Sequence, residues 1–376
     1  MTSVFKEIEK LRKDSFANIM DAFPNRYTVL CQEPDKTKTA YCFSVPIRNI
    51  KTNNIVDLCF SHHNYTSTFT GSEATVKIHD KASLFNQHGK CDVIFQNNTS
   101  KKTKNMVRLS NAEHYVEFYP TLNGMLLIME SDWGDHPPQL TLRLDRAFQS
   151  IRKNDKYFSI IREKFVPFVT VSCIGVINAQ GEVLAPCKVD HQKLSDLEYL
   201  IAFSTPRKTK NRIAIEINLQ ETKLFQDTTV ESKHPKLNNA FGGISFLGES
   251  KEFGEQWLYS RLQMLNIAQF QNRKILKTVL HVPKLGHHTA PLTLHGLRAR
   301  FCSFGSNWNN KIAIAAPISQ SFFSNGYYHF NMTDILGNFT QESENFIIKA
   351  TQTNKPAIVS TGDSFYAPQI LEVHYQ

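Results

Sequence analysis

The stretch Ile370-Leu371-Glu372-Val373-His374-Tyr375 decides how the fold of this chain is interpreted. Leu371, Val373 and Tyr375 alternate with polar neighbours, which is the period-two pattern of a strand with one buried face. So regular a last strand normally closes a sheet. Upstream of it, residues 227–375 form a succession of short alternating segments. We expect these segments to build one β-sandwich.

The same rhythm occurs earlier in the chain. Residues 213–219 read Ile-Ala-Ile-Glu-Ile-Asn-Leu, with one aliphatic row and one mostly polar row. We expect Ile215 and Ile217 to point inward and Glu216 to face solvent. Such alternation is typical of half-buried antiparallel strands rather than of a parallel sheet. The fold class predicted is all-β, with two packed antiparallel β-sandwich domains, a short N-terminal amphipathic helix and a jelly-roll-like C-terminal domain.

The helix is predicted over residues 4–23, immediately before Pro24. Its apolar residues gather on one side of a helix. They are Val4, Phe5, Ile8, Leu11, Phe16, Ile19, Met20 and Phe23. This face packs on its own domain or docks onto a neighbouring subunit. The predicted division is a helix over 1–24, a β-rich domain over 25–220 and a β-sandwich module over 221–376.

The composition is that of an ordinary globular protein. Of the 376 residues, 41% are hydrophobic and 20% are charged, and the sequence contains no long apolar span. The N-terminus is too densely charged for a secretory signal. We therefore expect no Sec signal peptide and no membrane insertion. Synthesis in the cytoplasm, followed by display on a cell, spore or particle surface by another route, is the predicted localisation.

A formal charge of +9 raises the question of nucleic-acid binding. The basic runs at 101–104 and 207–212 each lie between apolar strand-like segments, where a solvated hairpin tip explains them. No RNP, zinc-finger or helix-turn-helix pattern is present. We predict no specific nucleic-acid partner.

Several stretches after Gln226 resemble one family of domains. They are Asp227-Thr228-Thr229-Val230, Asn239-Ala240-Phe241-Gly242-Gly243, Trp257-Leu258-Tyr259-Ser260-Arg261-Leu262, residues 275–283, 328–336 and 344–350, and the closing residues 366–375. Their order is similar to that of the DNRLRE family, the disaggregatase-related β-sandwich domains grouped with carbohydrate-binding modules. The resemblance implies a sandwich that binds glycan or serves as a rigid surface module of a bacterial protein.

Sugar binding would use exposed aromatic rings, because a ring face covers the C–H patch of a pyranose. Aromatic residues beside turn-forming residues are the candidates, with core packing as the alternative. They are Trp133, Trp308, Tyr327, Tyr328 and Tyr366. The predicted partner is a polysaccharide or a cell-surface glycan.

The stretch Thr361-Gly362-Asp363-Ser364-Phe365 imitates the Gly-Asp-Ser block of serine esterases. In those enzymes the histidine base arrives far downstream, whereas here the only later histidine, His374, lies inside a regular strand. We interpret the stretch as a turn. GxSxG, HExxH and nucleotide-binding loops are missing from the sequence. We predict no catalytic residues and no enzymatic activity.

Metal binding has a few candidate ligands. Glu130, Asp132 and Asp135 surround a turn and offer oxygen atoms suited to Ca²⁺. The pairs His62-His63 and His287-His288 cannot chelate as units on a strand, because adjacent side chains point to opposite faces. We predict that the fold needs no cofactor.

Together these observations favour a non-catalytic surface or glycan-binding β-sandwich protein. One alternative is a structural subunit of a self-assembling fibre, coat or particle that associates through residues 4–23. The other alternative is a hydrolase.

Overall fold

The structure is a computed structural model. It describes residues 4–12, 18–20, 25–48, 68–70, 75–78, 81–95, 99–103, 106–110, 114–131, 137–163, 166–206, 211–219, 225–262, 270, 272–336, 345–351 and 355–376. About 60% of these residues lie in strands of antiparallel sheets and about 5% lie in helices, which confirms the all-β class. The chain divides into two compact units. The first unit holds Arg48–Glu221, and the second unit holds Ser3–Ile47 together with Thr222–Gln376.

The N-terminal elements of the second unit differ from the predicted long helix. They are α1 (Val4–Leu11), β1 (Asn18–Ile19), β2 (Thr28–Gln32) and β3 (Lys38–Phe43). The helix prediction is right for α1 and wrong for residues 18–19. There the backbone pairs antiparallel with Gln32 and Cys31, because the free edge of β2 offers hydrogen-bond partners that override helical periodicity. Phe16 and Phe23 lie outside the described residues.

The first unit consists of two facing sheets. One runs in the order β13-β14-β15-β19-β11-β10-β9-β8, with β16 beside β15, and the other in the order β17-β18-β12-β7-β6-β5-β4. Buried aliphatic residues from both sheets share one core. The strands are β4 (Thr68–Thr70), β5 (Thr75–Ile78), β6 (Ala82–Asn86), β7 (Gly89–Ile94), β8 (Thr99–Thr103), β9 (Met106–Ser110), β10 (His114–Thr121), β11 (Gly124–Ser131), β12 (Gln139–Leu144), β13 (Ser150–Asn154), β14 (Tyr157–Glu163), β15 (Val166–Ile177), β16 (Val183–Ala185), β17 (Lys188–Lys193), β18 (Glu198–Ser204) and β19 (Asn211–Leu219).

Strand β19 is buried on both of its faces. Ile215 and Ile217 are fully buried in the core, as their alternation predicts. Glu216 is also buried, with 1% of its surface exposed, so the prediction that it faces solvent is wrong. Its cross-strand neighbours on the same face, Leu126 of β11 and Ser172 of β15, are buried as well, so this face of the sheet is also shielded from solvent. Alternation identifies the two faces of a strand but not what covers the more polar one.

The rest of the second unit also forms two facing sheets. Their orders are β1-β2-β3-β30-β23-β27-β26 and β25-β24-β28-β22-β21-β29, with β20 beside β22. A shared core of buried apolar residues lies between them. The elements are β20 (Phe225–Glu231), β21 (Ile244–Ser250), β22 (Gly254–Leu262), β23 (Ile275–Pro283), β24 (Leu292–Leu297), β25 (Ile314–Gln320), β26 (Phe322–Ser324), β27 (Tyr327–Asn331), α2 (Thr333–Leu336), β28 (Asn345–Ala350), β29 (Ala357–Ser360) and β30 (Ile370–Tyr375).

The final strand lies inside its sheet rather than at an edge. Strand β30 pairs with β23 on one side and with β3 on the other. Leu371 and Val373 are fully buried in the core, as their alternation predicts. Residues 25–47, which the sequence boundaries grouped with residues up to 220, therefore lie in the same compact unit as β30.

Candidate functional site

The sheet that contains β30 has one apolar and one polar face. In this sheet Tyr41 is opposite Glu372, and His281 is opposite His329. Residues directly opposite each other in an antiparallel ladder share a face, and successive residues of a strand alternate between faces. Because Leu371 faces the core, its neighbour Glu372 belongs to the outer face. The outer face thus collects polar side chains from β3, β30, β23 and β27.

Helix α1 is held on this outer face by hydrogen bonds at its middle and near its C-terminal end. The hydroxyl of Tyr327 donates to the carboxylate of Glu7, and the side chain of Asn325 donates to the carbonyl oxygen of Lys10 at 2.8 Å. Val4 and Ile8 are buried. Burial, with the charge of Glu7 added, raises the pKa of Tyr327 far above its usual value, so this phenol stays a hydrogen-bond donor.

An ion pair connects the residue after α1 to the end of β2. The guanidinium of Arg12 donates to both carboxylate oxygens of Glu33, at 2.9 and 2.8 Å, and to the hydroxyl of Tyr41 at 3.2 Å. This bidentate geometry is the strongest form of a carboxylate pair. The hydrogen bond from Arg12 is the main cause that lowers the pKa of Glu33. The end of the helix is therefore tied to the sheet.

A cavity of about 830 Å³ opens on the outer face beside the end of α1. Arg12, Tyr41, Lys277, His329 and Glu372 are among the polar residues that line it. Phe322, also part of the lining, has 65% of its surface exposed. A concave polar surface with an exposed aromatic ring is the geometry of a small-ligand site.

Four side chains in this cavity form a continuous hydrogen-bonded array. Ser324 Oγ lies 2.9 Å from His329 Nε2, and His329 Nδ1 lies 2.7 Å from His281 Nδ1. His281 Nε2 then lies 3.0 Å from Glu372 Oε2. We call these four residues the histidine array. They come from β26, β27, β23 and β30, four neighbouring strands of one sheet.

The charges of the array follow from its surroundings. Burial opposes ionisation of Glu372, but the hydrogen bond from His281 and the charges of His281 and Lys277 outweigh it, so its pKa lies below the usual 4.5. Burial, and then the neighbouring His281, lower the pKa of His329 below its usual 6.5. At neutral pH the array therefore holds a carboxylate and an uncharged His329.

A tight hairpin brings Ser324 to His329. Asn325 and Gly326 both have positive φ, of 50° and 86°, as the Asn-Gly turn of a two-residue hairpin requires. Ser324 is consequently opposite Tyr327, two residues before His329. The Asn-Gly pair is a readable sequence signal for this hairpin.

Two of the aromatic residues predicted to bind sugar, Tyr327 and Tyr328, do not share one surface. Tyr327 is buried against α1, while Tyr328 lies in the core, where its hydroxyl accepts a hydrogen bond from the backbone of Ala290 at 3.2 Å. Neighbouring strand residues point to opposite faces, which separates the two tyrosines. Tyr366 is half-buried elsewhere in the second unit, and Trp133 lies outside the described residues.

Trp308 lies on a 3₁₀ turn and stacks near Trp257, with ring centroids 5.0 Å apart. The ammonium of Lys311 is 3.9 Å from the centroid of Trp308. The Trp308 ring is thus already in contact with Trp257 and Lys311 of the same chain.

Glu130 and Ser364 are not among the residues that line the cavity. Glu130 is in β11, where its carboxylate accepts a hydrogen bond from Tyr115, and Asp132 and Asp135 fall outside the described residues. Within the described ranges, no group of three or more His, Cys, Asp or Glu side chains is placed to hold a metal ion. Ser364 is fully buried beside a turn.

Sequence reasoning overlooked the histidine array because its members are far apart along the chain. Each of His281, His329 and Glu372 is a polar residue directly between two apolar or aromatic neighbours in its strand. Polar residues at outward positions of several strands indicate a candidate site in the sequence. Only the strand order shows that these strands are neighbours.

No protein-family model matches this chain, and no curated protein matches it. Among solved structures, similarity is found to a mutant of heparan sulfate lyase HepC from Pedobacter heparinus, with 10% identity and a TM-score of 0.24. The match covers 66% of this chain and 41% of that one. A TM-score this low does not establish a shared fold. The resemblance to the DNRLRE family stays a prediction.

The helices of the described residues are all too short or too polar to cross a membrane.

Proposed function

We propose that the protein binds a glycan in the cavity beside α1. The observation that carries the proposal is the combination of an exposed aromatic ring, Phe322, with polar side chains on one cavity wall. A sugar ring presents an apolar C–H patch and a rim of hydroxyl groups. Phe322 suits the patch, while Asn331, His329 and Glu372 offer donors and acceptors for the rim.

The cavity wall supports this proposal because its side chains hold one another in place. Hydrogen bonds link Arg12 to Glu33 and Tyr41, and His281 to Glu372. Side chains held in place lose little conformational entropy on binding, which favours affinity for a weakly interacting ligand such as a sugar.

A glycan array followed by isothermal titration with the best ligand tests the proposal. Phe322→Ala removes the ring and should weaken binding about two- to tenfold, since aromatic packing contributes about 0.5–1.5 kcal/mol beyond burial. Leu194→Ala is the matched control, because Leu194 is an exposed apolar residue (50%) between β17 and β18 of the first unit. Equal affinities in the two variants, or no glycan bound at all, would contradict the proposal.

Assembly through residues 4–23 is a separate prediction. Val4 and Ile8 are buried within the chain, so they would have to leave that position to contact a second copy. The elution mass of the protein with and without residues 1–24 tests it, and a monomer in both cases excludes such assembly.

A further inference from the structure

The tautomers of the histidine array follow from its one ionised end. Glu372 is a carboxylate and only accepts hydrogen bonds, so His281 Nε2, 3.0 Å away, carries a hydrogen. When His281 is neutral, its other nitrogen, Nδ1, is an acceptor, and His329 Nδ1 then donates to it across 2.7 Å. His329 Nε2 is left with a free lone pair directed at Ser324 Oγ, 2.9 Å away. The hydroxyl of Ser324 therefore donates to a base.

A second set of contacts suits the state in which a proton has been taken from Ser324. With a hydrogen on Nε2, His329 can donate to the carbonyl oxygen of Ser324, which lies 3.2 Å away. Its Nδ1 proton can pass to His281 Nδ1, which places the positive charge on the imidazole beside Glu372. His329 thus accepts the proton of Ser324, and the carboxylate of Glu372 stabilises the resulting positive charge on His281.

Access to this array is from the cavity. Ser324 and His329 both line it, and neither is fully buried. Ser364, by contrast, is fully buried, so no substrate can reach it. A hydroxyl hydrogen-bonded to a neutral histidine, which is in turn oriented by a further group, is the arrangement of an activated serine nucleophile.

We propose that Ser324 is the nucleophile of a carboxylic-ester hydrolase site, with His329 as its general base and with His281 and Glu372 as positioning residues. This activity goes beyond the proposed glycan binding and departs from the sequence-based expectation that the chain is not an enzyme. The substrate class is an ester small enough for a cavity of about 830 Å³.

The reaction balances with water as the second substrate. Ser324 Oγ bonds to the ester carbonyl carbon while its proton moves to His329 Nε2. The bond from that carbon to the alcohol oxygen then breaks, and the leaving alkoxide takes the proton from His329. Water attacks the resulting acyl-serine, with His329 again accepting a proton and returning it to Ser324, and a carboxylic acid leaves.

Two assays test the proposal on the full chain. The first measures hydrolysis of p-nitrophenyl acetate, and the second locates by mass spectrometry the adduct formed with a reactive alkyl phosphonate ester. Ser324→Ala should lower turnover by about 10²–10⁴-fold and abolish the adduct, which in the unmodified chain should be on Ser324. Ser364→Ala is the matched control, and it should keep both the turnover and the adduct.

Two results would overturn the proposal: turnover that is unchanged in Ser324→Ala, or an adduct that forms on another residue and never on Ser324. Thermal melting of each variant shows that it is folded. Glycan affinity of Ser324→Ala, measured in parallel, reports on the binding proposal separately, since loss of turnover with intact affinity affects only the nucleophile.

The pH profile of kcat/KM tests the positioning role of Glu372. Glu372→Gln removes the negative charge that stabilises a protonated histidine pair, so the acidic limb should move to lower pH. The other charged or titratable groups around the pair are the same in both proteins. They are Lys277 on β23, His374 on β30, Tyr41 on β3, Tyr327 on β27, Asp35 after β2, and Arg12 with Glu33 at the end of α1. An acidic limb that stays in place while the rate falls would show that Glu372 is only structural and would refute its positioning role.

Discussion

Residues 25–47 should be required for residues 222–376 to fold. Strand β3 pairs with β30 along its whole length, from Lys38 opposite Tyr375 to Phe43 opposite Ile370. A fragment of residues 222–376 would therefore leave β30 as an unpaired edge. The sequence alone suggested the contrary, a module complete without any N-terminal strand.

The loss in folding free energy follows from the buried side chains that the fragment would lack. Tyr27, Leu30, Ala40 and Cys42 all lie in the core of the second unit, and none is more than 6% exposed. Full burial of one large apolar side chain contributes about 1.5–3 kcal/mol, so Tyr27 and Leu30 alone account for about 3–6 kcal/mol. A whole domain is stable by only about 5–15 kcal/mol. The fragment should thus be unfolded or melt without cooperativity.

Circular dichroism of the fragment during heating and urea denaturation tests this expectation. Adding a synthetic peptide of residues 25–47 should restore a cooperative transition, because it supplies β2 and β3. The same peptide carrying Leu30→Asp is the matched control and should restore nothing, since a charge would enter the core. A fragment that melts cooperatively without any peptide would refute the reasoning.

Three further predictions concern single side chains. Ile217→Ala should lower the free energy of unfolding in urea by about 2–5 kcal/mol, as expected for a fully buried site. Glu216→Ala should cost about 1–3 kcal/mol, because this carboxylate is buried, and a cost below about 0.5 kcal/mol would show that it behaves as a surface residue. Glu372 has a lower pKa in the folded chain than its usual 4.5, so its ionised form stabilises the fold above that pH, and this contribution is lost as the pH falls through the folded pKa. The stability difference between the unmodified chain and Glu372→Gln should therefore be present at pH 7 and shrink below pH 4.5; a difference that is constant down to pH 3 would contradict this assignment.

The sequence by itself determined the local character of the strands. Alternation at 213–219 and 370–375 correctly identified the inward residues Ile215, Ile217, Leu371 and Val373. This pattern is readable because the period of two is a property of each strand alone. The all-β class could be predicted for the same reason.

Only the tertiary structure decided which strands are neighbours and what covers their outer faces. The pairing of β3 with β30, the burial of Glu216 and the end of α1 at Leu11 all depend on partners that are distant in the sequence. The histidine array is of the same kind, since Ser324 and His329 meet His281 and Glu372 only because β27, β23 and β30 are adjacent in that order and in one register. Register between strands is set by the free energy of the whole packed sheet, and no local pattern in a single strand encodes it.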